Sequence, residues 1–161
     1  MKRFISNLLT LCFICYMILL VYFLFFSEGY GRTERYETYK YNFELFHEIK
    51  RYWNNQEQIG SILFLINLVG NVVVFVPFGF LVPVVYREQR KDVKYRGHYF
   101  RAFVFVFLLG ILFSFCIETI QLVTRVGCFD IDDLFLNTLG VVIGYIIYYI
   151  SKKIIGLLGR R

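Results

Sequence analysis

Only two histidines occur in the 161-residue chain, His47 and His98, and neither stands among cysteines or at a His-x-x-x-His spacing. A zinc centre is therefore not expected. The four cysteines form no disulfide framework, because Cys12, Cys15 and Cys116 fall inside apolar runs and Cys128 alone falls in a connection. Cys12 and Cys15 spell C-x-x-C, but a redox pair needs a βαβ setting, and this pair sits within an apolar stretch of lipid length. The sequence shows no repeat at a fixed period, no low-complexity segment and no second domain. Lys and Arg exceed Asp and Glu by 18 to 12, giving a formal net charge of +6. The basic residues collect at segment ends and in short loops rather than along an aromatic-interleaved helix face, so nucleic acid is not an expected partner.

What the chain has in abundance is apolar length. It is 58% hydrophobic and 20% aromatic with a mean hydropathy of +0.56, too apolar for an ordinary soluble domain of this size. The first run, residues 4–26, reaches about 35 Å as a helix, enough to cross a hydrocarbon core of about 30 Å with some tilt. Ser27 and Gly29 resemble a signal-peptide cleavage site, but the run exceeds the usual h-region of about 7 to 15 residues, so an uncleaved span is expected. A second run covers 59–86 and is interrupted by Asn67, Gly70, Asn71, Pro77, Gly79 and Pro83. Pro77 lacks an amide proton and crowds the carbonyl of Val73, which predicts a kink between Val73 and Gly79. The third and fourth runs, 100–124 and 131–150, are separated by a few residues and predict a tight helical hairpin.

Residues 28–58 differ in character. Twelve charged or histidine side chains are mixed there with aromatic residues, and Phe43, Phe46, Ile49, Tyr52 and Trp53 recur at near-helical spacing. An amphipathic helix from Asn42 to Trp53, lying in the interface, is expected. The connection 87–101 is the most basic part of the chain and reads as cytoplasmic. With four spans, twelve Lys and Arg fall on the amino-terminal side and six on the other. Both termini are therefore expected in the cytoplasm, with 28–58 and the Arg125 region outside. The expected fold is an all-α membrane protein, a single domain over 1–161 with four transmembrane helices and an amphipathic extracytoplasmic segment between the first two.

Between the last two apolar runs the chain threads Glu118, Gln121, Arg125, Asp130, Asp132, Asp133 and Asn137. An ionisable group within a span faces protein, water or a ligand, since lipid disfavours it by about 2.5 to 3.5 kcal/mol at the bilayer centre. Glu118, Gln121 and Arg125 share one helix face, and Asp130, Asp133, Asn137, Gly140 and Gly144 share another. Asn67 and Asn71, at i and i+4, share a third. The topology carries all three sets to the outer leaflet and predicts a polar pocket open to the outside. Asp130 also fits a helix cap with Asp132 and Asp133 in the first turn. Asp132 points away from the Asp133 face, and Arg125 is placed to neutralise the aspartates. Gly140 and Gly144 form a small-xxx-small face for close packing on span two or three.

Three chemistries fit such a site. Clustered carboxylates hold a hard divalent cation, for which Asp130, Asp132 and Asp133 are weak candidates, although no cofactor is required. Glu118, Arg125, Asp130 and Asp133 are candidates for catalysis by general acid or base. Asn67, Asn71, Glu118, Gln121, Arg125, Asp130, Asp133 and Asn137 suit binding of a polar ligand without reaction. The string from Asp130 to Asp133 matches the D-x-D-D of some terpene cyclases, but four residues in a short loop carry no weight.

The ordered series of spaced polar residues resembles the VanZ-like family of small bacterial membrane proteins. Asn71, Phe75, Pro77 and Gly79 match its N-x-x-x-F-x-P-x-G element, and Glu118 and Gln121 its E-x-x-Q. Arg125, Asp130, Asp133, Asn137 and Gly140 follow its second signature in order. Asn42, Phe46 and Ile49 resemble an N-L-x-P-F-x-x-I stretch, with Phe43 in place of the leucine and Leu45 in place of the proline. The resemblance implies a multi-pass protein of the bacterial cell membrane with a role in lowering susceptibility to teicoplanin-type lipoglycopeptides, but no established reaction. Its expected partners are the lipid bilayer and a cell-envelope amphiphile or lipoglycopeptide. Two other functions suit the same residues: a metal-assisted hydrolase or transferase on an envelope lipid or polymer, and a non-catalytic scaffold for a protein partner.

Overall fold

Every long apolar run forms a helix in the computed structural model. The structure describes residues 2–26, 36–47, 50, 54, 61–89 and 99–158, excepting the side chains at 2–3, 5–6, 61–67 and 87–89. In chain order the elements are α1 (Lys2–Phe26), β1 (Tyr41–Asn42), α2 (Ser61–Gln89), α3 (Tyr99–Thr124), β2 (Phe129–Asp130) and α4 (Ile131–Leu158). All four helices contain a stretch long and apolar enough to cross a membrane. Their outward faces fit that solvent. Leu108, Leu112 and Val123 on α3 and Phe4, Ile18 and Phe23 on α1 are all exposed, a density of apolar surface that water does not tolerate. Hydroxyls on the same faces are satisfied within their own helices, as Thr119 donates to Phe115 O and Ser151 to Ile147 O at 2.8 Å each.

The bundle closes around α2 and α4. Gly79 of α2 and Gly140 and Gly144 of α4 let the two backbones touch: a methyl group on Gly140 would stand 2.1 Å from Val72 O, and one on Gly144 2.0 Å from Val76 O. On Gly79 it would meet Val141 O at 2.0 Å. The contacts rise together along both helices, so α2 and α4 run parallel. α3 runs against them, with Asn137 opposite Ser114 and Tyr145 donating to Tyr99 O at 2.6 Å. Phe75 and Phe78 of α2, Val106 and Ile117 of α3, and Val141, Tyr145 and Tyr148 of α4 fill the core, and Phe113 stacks on Phe78 with ring centroids 5.1 Å apart.

α1 lies to one side and adds only Leu20 to the fully buried residues described. Its Tyr16 hydroxyl donates to Val74 O at 2.8 Å. That carbonyl adjoins the Val73 carbonyl, which Pro77 deprives of its helical donor. α2 nevertheless runs through Pro77 and Pro83 as one helix.

The polar segment departs from expectation at its start. Tyr41 and Asn42 form a two-residue parallel bridge with Phe129 and Asp130, and Phe46 takes a left-handed φ of 62°. No helix begins at Asn42, because the backbone at 41–42 is committed to the α3–α4 connection and the Asn42 carboxamide caps its own turn, accepting from Glu44 N at 3.0 Å. Residues 48–49 and 51–53 of the expected amphipathic helix lie outside the described residues.

The glycine contacts generate a direct test. Gly144→Leu should destabilise the bundle by about 1 to 3 kcal/mol or more, since Val76 O is backbone and cannot move aside. Gly156→Leu should be neutral, because nothing stands within 4 Å of its added carbon. Resistance of the two variants to unfolding in detergent measures the difference.

Candidate functional site

The connection between α3 and α4 shapes the polar end of the bundle. Arg125 follows α3 in the left-handed region, φ 59°, a conformation that costs a non-glycine residue about 1 to 2 kcal/mol. It reverses the chain so that Gly127 N donates to Gln121 O at 3.3 Å and Phe129 N to Lys40 O at 3.0 Å. Asp130 then caps α4, its Oδ1 accepting from Asp132 N at 2.8 Å. The Asp130 backbone N–H donates to Glu118 Oε2 at 3.2 Å, so the deepest carboxylate of α3 holds the start of α4. Glu118 is 2% exposed. Asn42 Nδ2 donates to both Asp130 carboxylate oxygens, at 3.1 and 3.3 Å, which ties the 36–47 segment to the same point.

The sequence candidates other than Asn67 now have a place. Asn71 of α2 donates to Asp133 Oδ1 of α4, and Asn137, one turn deeper than Asp133, donates to Ser114 Oγ of α3 at 3.0 Å. Ser114, Glu118 and Gln121 are buried along one face of α3. Together these groups form a hydrogen-bonded polar layer across α2, α3 and α4. Asn137 Oδ1 is buried in it and is the one buried side-chain polar atom among those described that has no hydrogen-bond partner. Asp132, which leaves the Asp133 face as its spacing predicts, is 5% exposed and accepts the Phe46 N–H, whereas Asp133 meets Asn71. Among the described residues no group of three or more His, Cys, Asp or Glu side chains stands in metal-holding geometry.

Two candidates turn elsewhere. Gln121 reaches across to α1 and donates to Leu24 O at 3.0 Å. Arg125 was expected to neutralise the aspartates; its exposed guanidinium instead lies over the Tyr39 ring, 4.7 Å from the centroid, and donates to Glu37 O at 3.4 Å. Its left-handed backbone directs the side chain back over the 36–40 segment, where Tyr36 N also donates to Arg125 O. The Asn67 side chain lies outside the described residues. Sequence reading missed Ser114 as a site residue, although it stands one helical turn before Glu118. It also missed the bonding role of Asn42, whose signal was present in the N-x-x-x-F stretch.

Cys128 senses the electrostatics of this end. Burial pushes its thiol up to about 11, with the negative charges of Asp130, Glu118 and Asp133 adding to the shift and Lys40 opposing it.

Four apolar helices with a buried polar layer near one end define a multi-pass membrane protein. The family model described as VanZ/LLP1 matches residues 13–152, most of the chain, and the protein belongs to that family. Over 86 residues it is 34% identical to Protein VanZ of Enterococcus faecium, a match that spans 53% of this chain and 46% of that one. The match thus covers about half of each protein. No solved structure matches.

The thiol supplies a test of the charge arrangement. Because the protonated form persists up to about pH 11, alkylation of Cys128 at pH 8 should run about tenfold slower than for an unshifted cysteine, the scarcer thiolate being partly offset by its greater nucleophilicity. The rate should climb with pH toward 11, and Asp130→Asn should move the midpoint down. A midpoint unmoved by that substitution would remove Asp130 from the field at Cys128.

Proposed function

We propose that the protein acts in a bacterial cell membrane and lowers susceptibility to teicoplanin-type lipoglycopeptides, by binding or altering a cell-surface amphiphile at the polar end of its bundle. Family membership and the partial likeness to Protein VanZ support the resistance role. The observation that carries the site is the convergence of Asn71, Glu118, Asp130, Asp133 and Asn137 from three helices and their connection, at the end where the 36–47 segment crosses. On this reading both termini are cytoplasmic, the polar end faces outward, and Arg125 presents a cation at its rim. Binding accounts for the geometry better than hydrolysis does. Asp130 and Asp132 are engaged in holding the connection and the Phe46 turn, which suits positioning more than proton transfer.

Expressed in a sensitive Gram-positive host, the wild type should raise teicoplanin tolerance more than vancomycin tolerance. Glu118→Gln should return tolerance to that of the empty host at unchanged membrane levels, because the amide oxygen can still accept the Asp130 N–H while the charge is gone. Unchanged tolerance with the wild type would sink the resistance reading.

Sidedness is separately measurable. In a Cys128→Ser background, Glu37→Cys should react with an impermeant thiol reagent in intact cells. Labelling only after lysis would invert the topology.

A further inference from the structure

Past Ser151, α4 stands alone. Every residue from Lys152 to Leu157 is exposed, whereas Tyr148, one turn before Lys152, is buried in the core. We propose that this projecting end is a docking surface for anionic phospholipid, in which Lys152 and Lys153 hold headgroup phosphates while Ile154, Ile155 and Leu157 enter the acyl boundary. The inference goes beyond the function proposed above and depends only on the chain's crossing a membrane.

Helix length sets the depth of this end. From Ile131, at the polar end, about 30 Å of helical rise, the thickness of a hydrocarbon core, reaches Ser151. Lys152 to Leu157 therefore fall in the headgroup layer. Tyr99 and Tyr149, partly exposed with ring centroids 5.1 Å apart, mark the same boundary on α3 and α4, as interfacial aromatic rings do. Ile154, Ile155 and Leu157 are each more than half exposed, so these two turns suit an interface better than open water.

Charge selects the lipid. The described acidic side chains, Glu37, Glu44, Glu118, Asp130, Asp132 and Asp133, all belong to the opposite, polar end, and residues 99–117 and 134–158 contain no Asp or Glu. Both ion pairs among the described residues involve Glu44, so neither Lys152 nor Lys153 is neutralised by a described carboxylate. The α4 dipole does not account for the lysines either, since its field fades within the last turn and no basic residue stands there. Consecutive residues lie about 100° apart around a helix, so the two ammonium groups reach separate phosphates. A zwitterionic headgroup cancels that attraction with its own cation, whereas an anionic surface favours each lysine by about fivefold.

The test uses the full chain in phosphatidylcholine vesicles, with Trp53→Phe removing the native indole and Leu157→Trp placing one on the projecting end. Brominated phosphatidylglycerol and brominated phosphatidylcholine, each added at low mole fraction, quench that indole when they lie beside it. The anionic lipid should quench about fivefold more effectively or better. Lys152→Gln together with Lys153→Gln should bring the ratio to about one, and Lys152→Arg with Lys153→Arg should keep it. Salt at about 1 M, where the screening length is about 3 Å, should lower the preference of the lysine form. Equal quenching by the two lipids, or a preference that survives both Gln substitutions, would overturn the proposal and leave the lysines as ordinary solvated charges. The salt series needs no lysine variant, so a misfolded one cannot decide the result. Only lipid contact is read, and a failure here is therefore distinct from a failure of the resistance role, which the tolerance assay measures.

Discussion

The contact between the α2 and α4 backbones at Gly79, Gly140 and Gly144 governs what the rest of the bundle can do. Helices with ordinary side chains at a contact stand about 8 to 10 Å apart, which leaves short polar side chains on facing helices out of reach of one another. With glycine at the contact, Val72 and Val76 carbonyls lie directly against α4, and Asn71, the neighbour of Val72, reaches Asp133. In lipid there is no hydrophobic force between helices, so close packing and hydrogen bonds of this kind supply the cohesion. The polar layer and the small-residue face are therefore parts of one arrangement.

A second constraint follows from the absence of water in the bilayer core. Each polar group placed there must find its partner in the protein. The hydroxyls on outward faces bond to their own helices, while Ser114, Asn71 and Asp133 bond between helices. At the end of the layer the partners come from the connection and from the 36–47 segment, through Asp130 N, Asn42 and Phe46 N. The carboxylates of Glu118, Asp130 and Asp132 thus organise irregular backbone that would otherwise lack a scaffold. Burial raises the Cys128 thiol beside them, and the charges of Asp130, Glu118 and Asp133 add to the shift.

Much of this was legible in the chain. Run lengths predicted four long apolar helices, although the last runs on to Leu158, past its expected end at Ile150, and the spacing of Gly140 and Gly144 predicted a close contact on span two or three. Helical periodicity put Asp133 and Asn137 on one face, and Asp130 read as a cap from its place before the last apolar run. These features are local or follow from one period, so they survive without knowledge of what packs on what.

What the sequence determined by itself was the number of spans, their polar residues and the faces those residues occupy, because composition and helical period fix them. Only the tertiary structure decided partners. Arg125 lies on the predicted face of α3 by count, but its left-handed backbone ends the helix and sends its guanidinium to Tyr39 rather than to the aspartates. Gln121 leaves its neighbour Glu118 for Leu24 O of α1, and Asp132 turns inward to hold Phe46. A strand bridge replaces the start of an expected helix because Asn42 meets Asp130 across 88 positions of sequence. Each of these choices depends on atoms distant along the chain, and no periodic pattern encodes them.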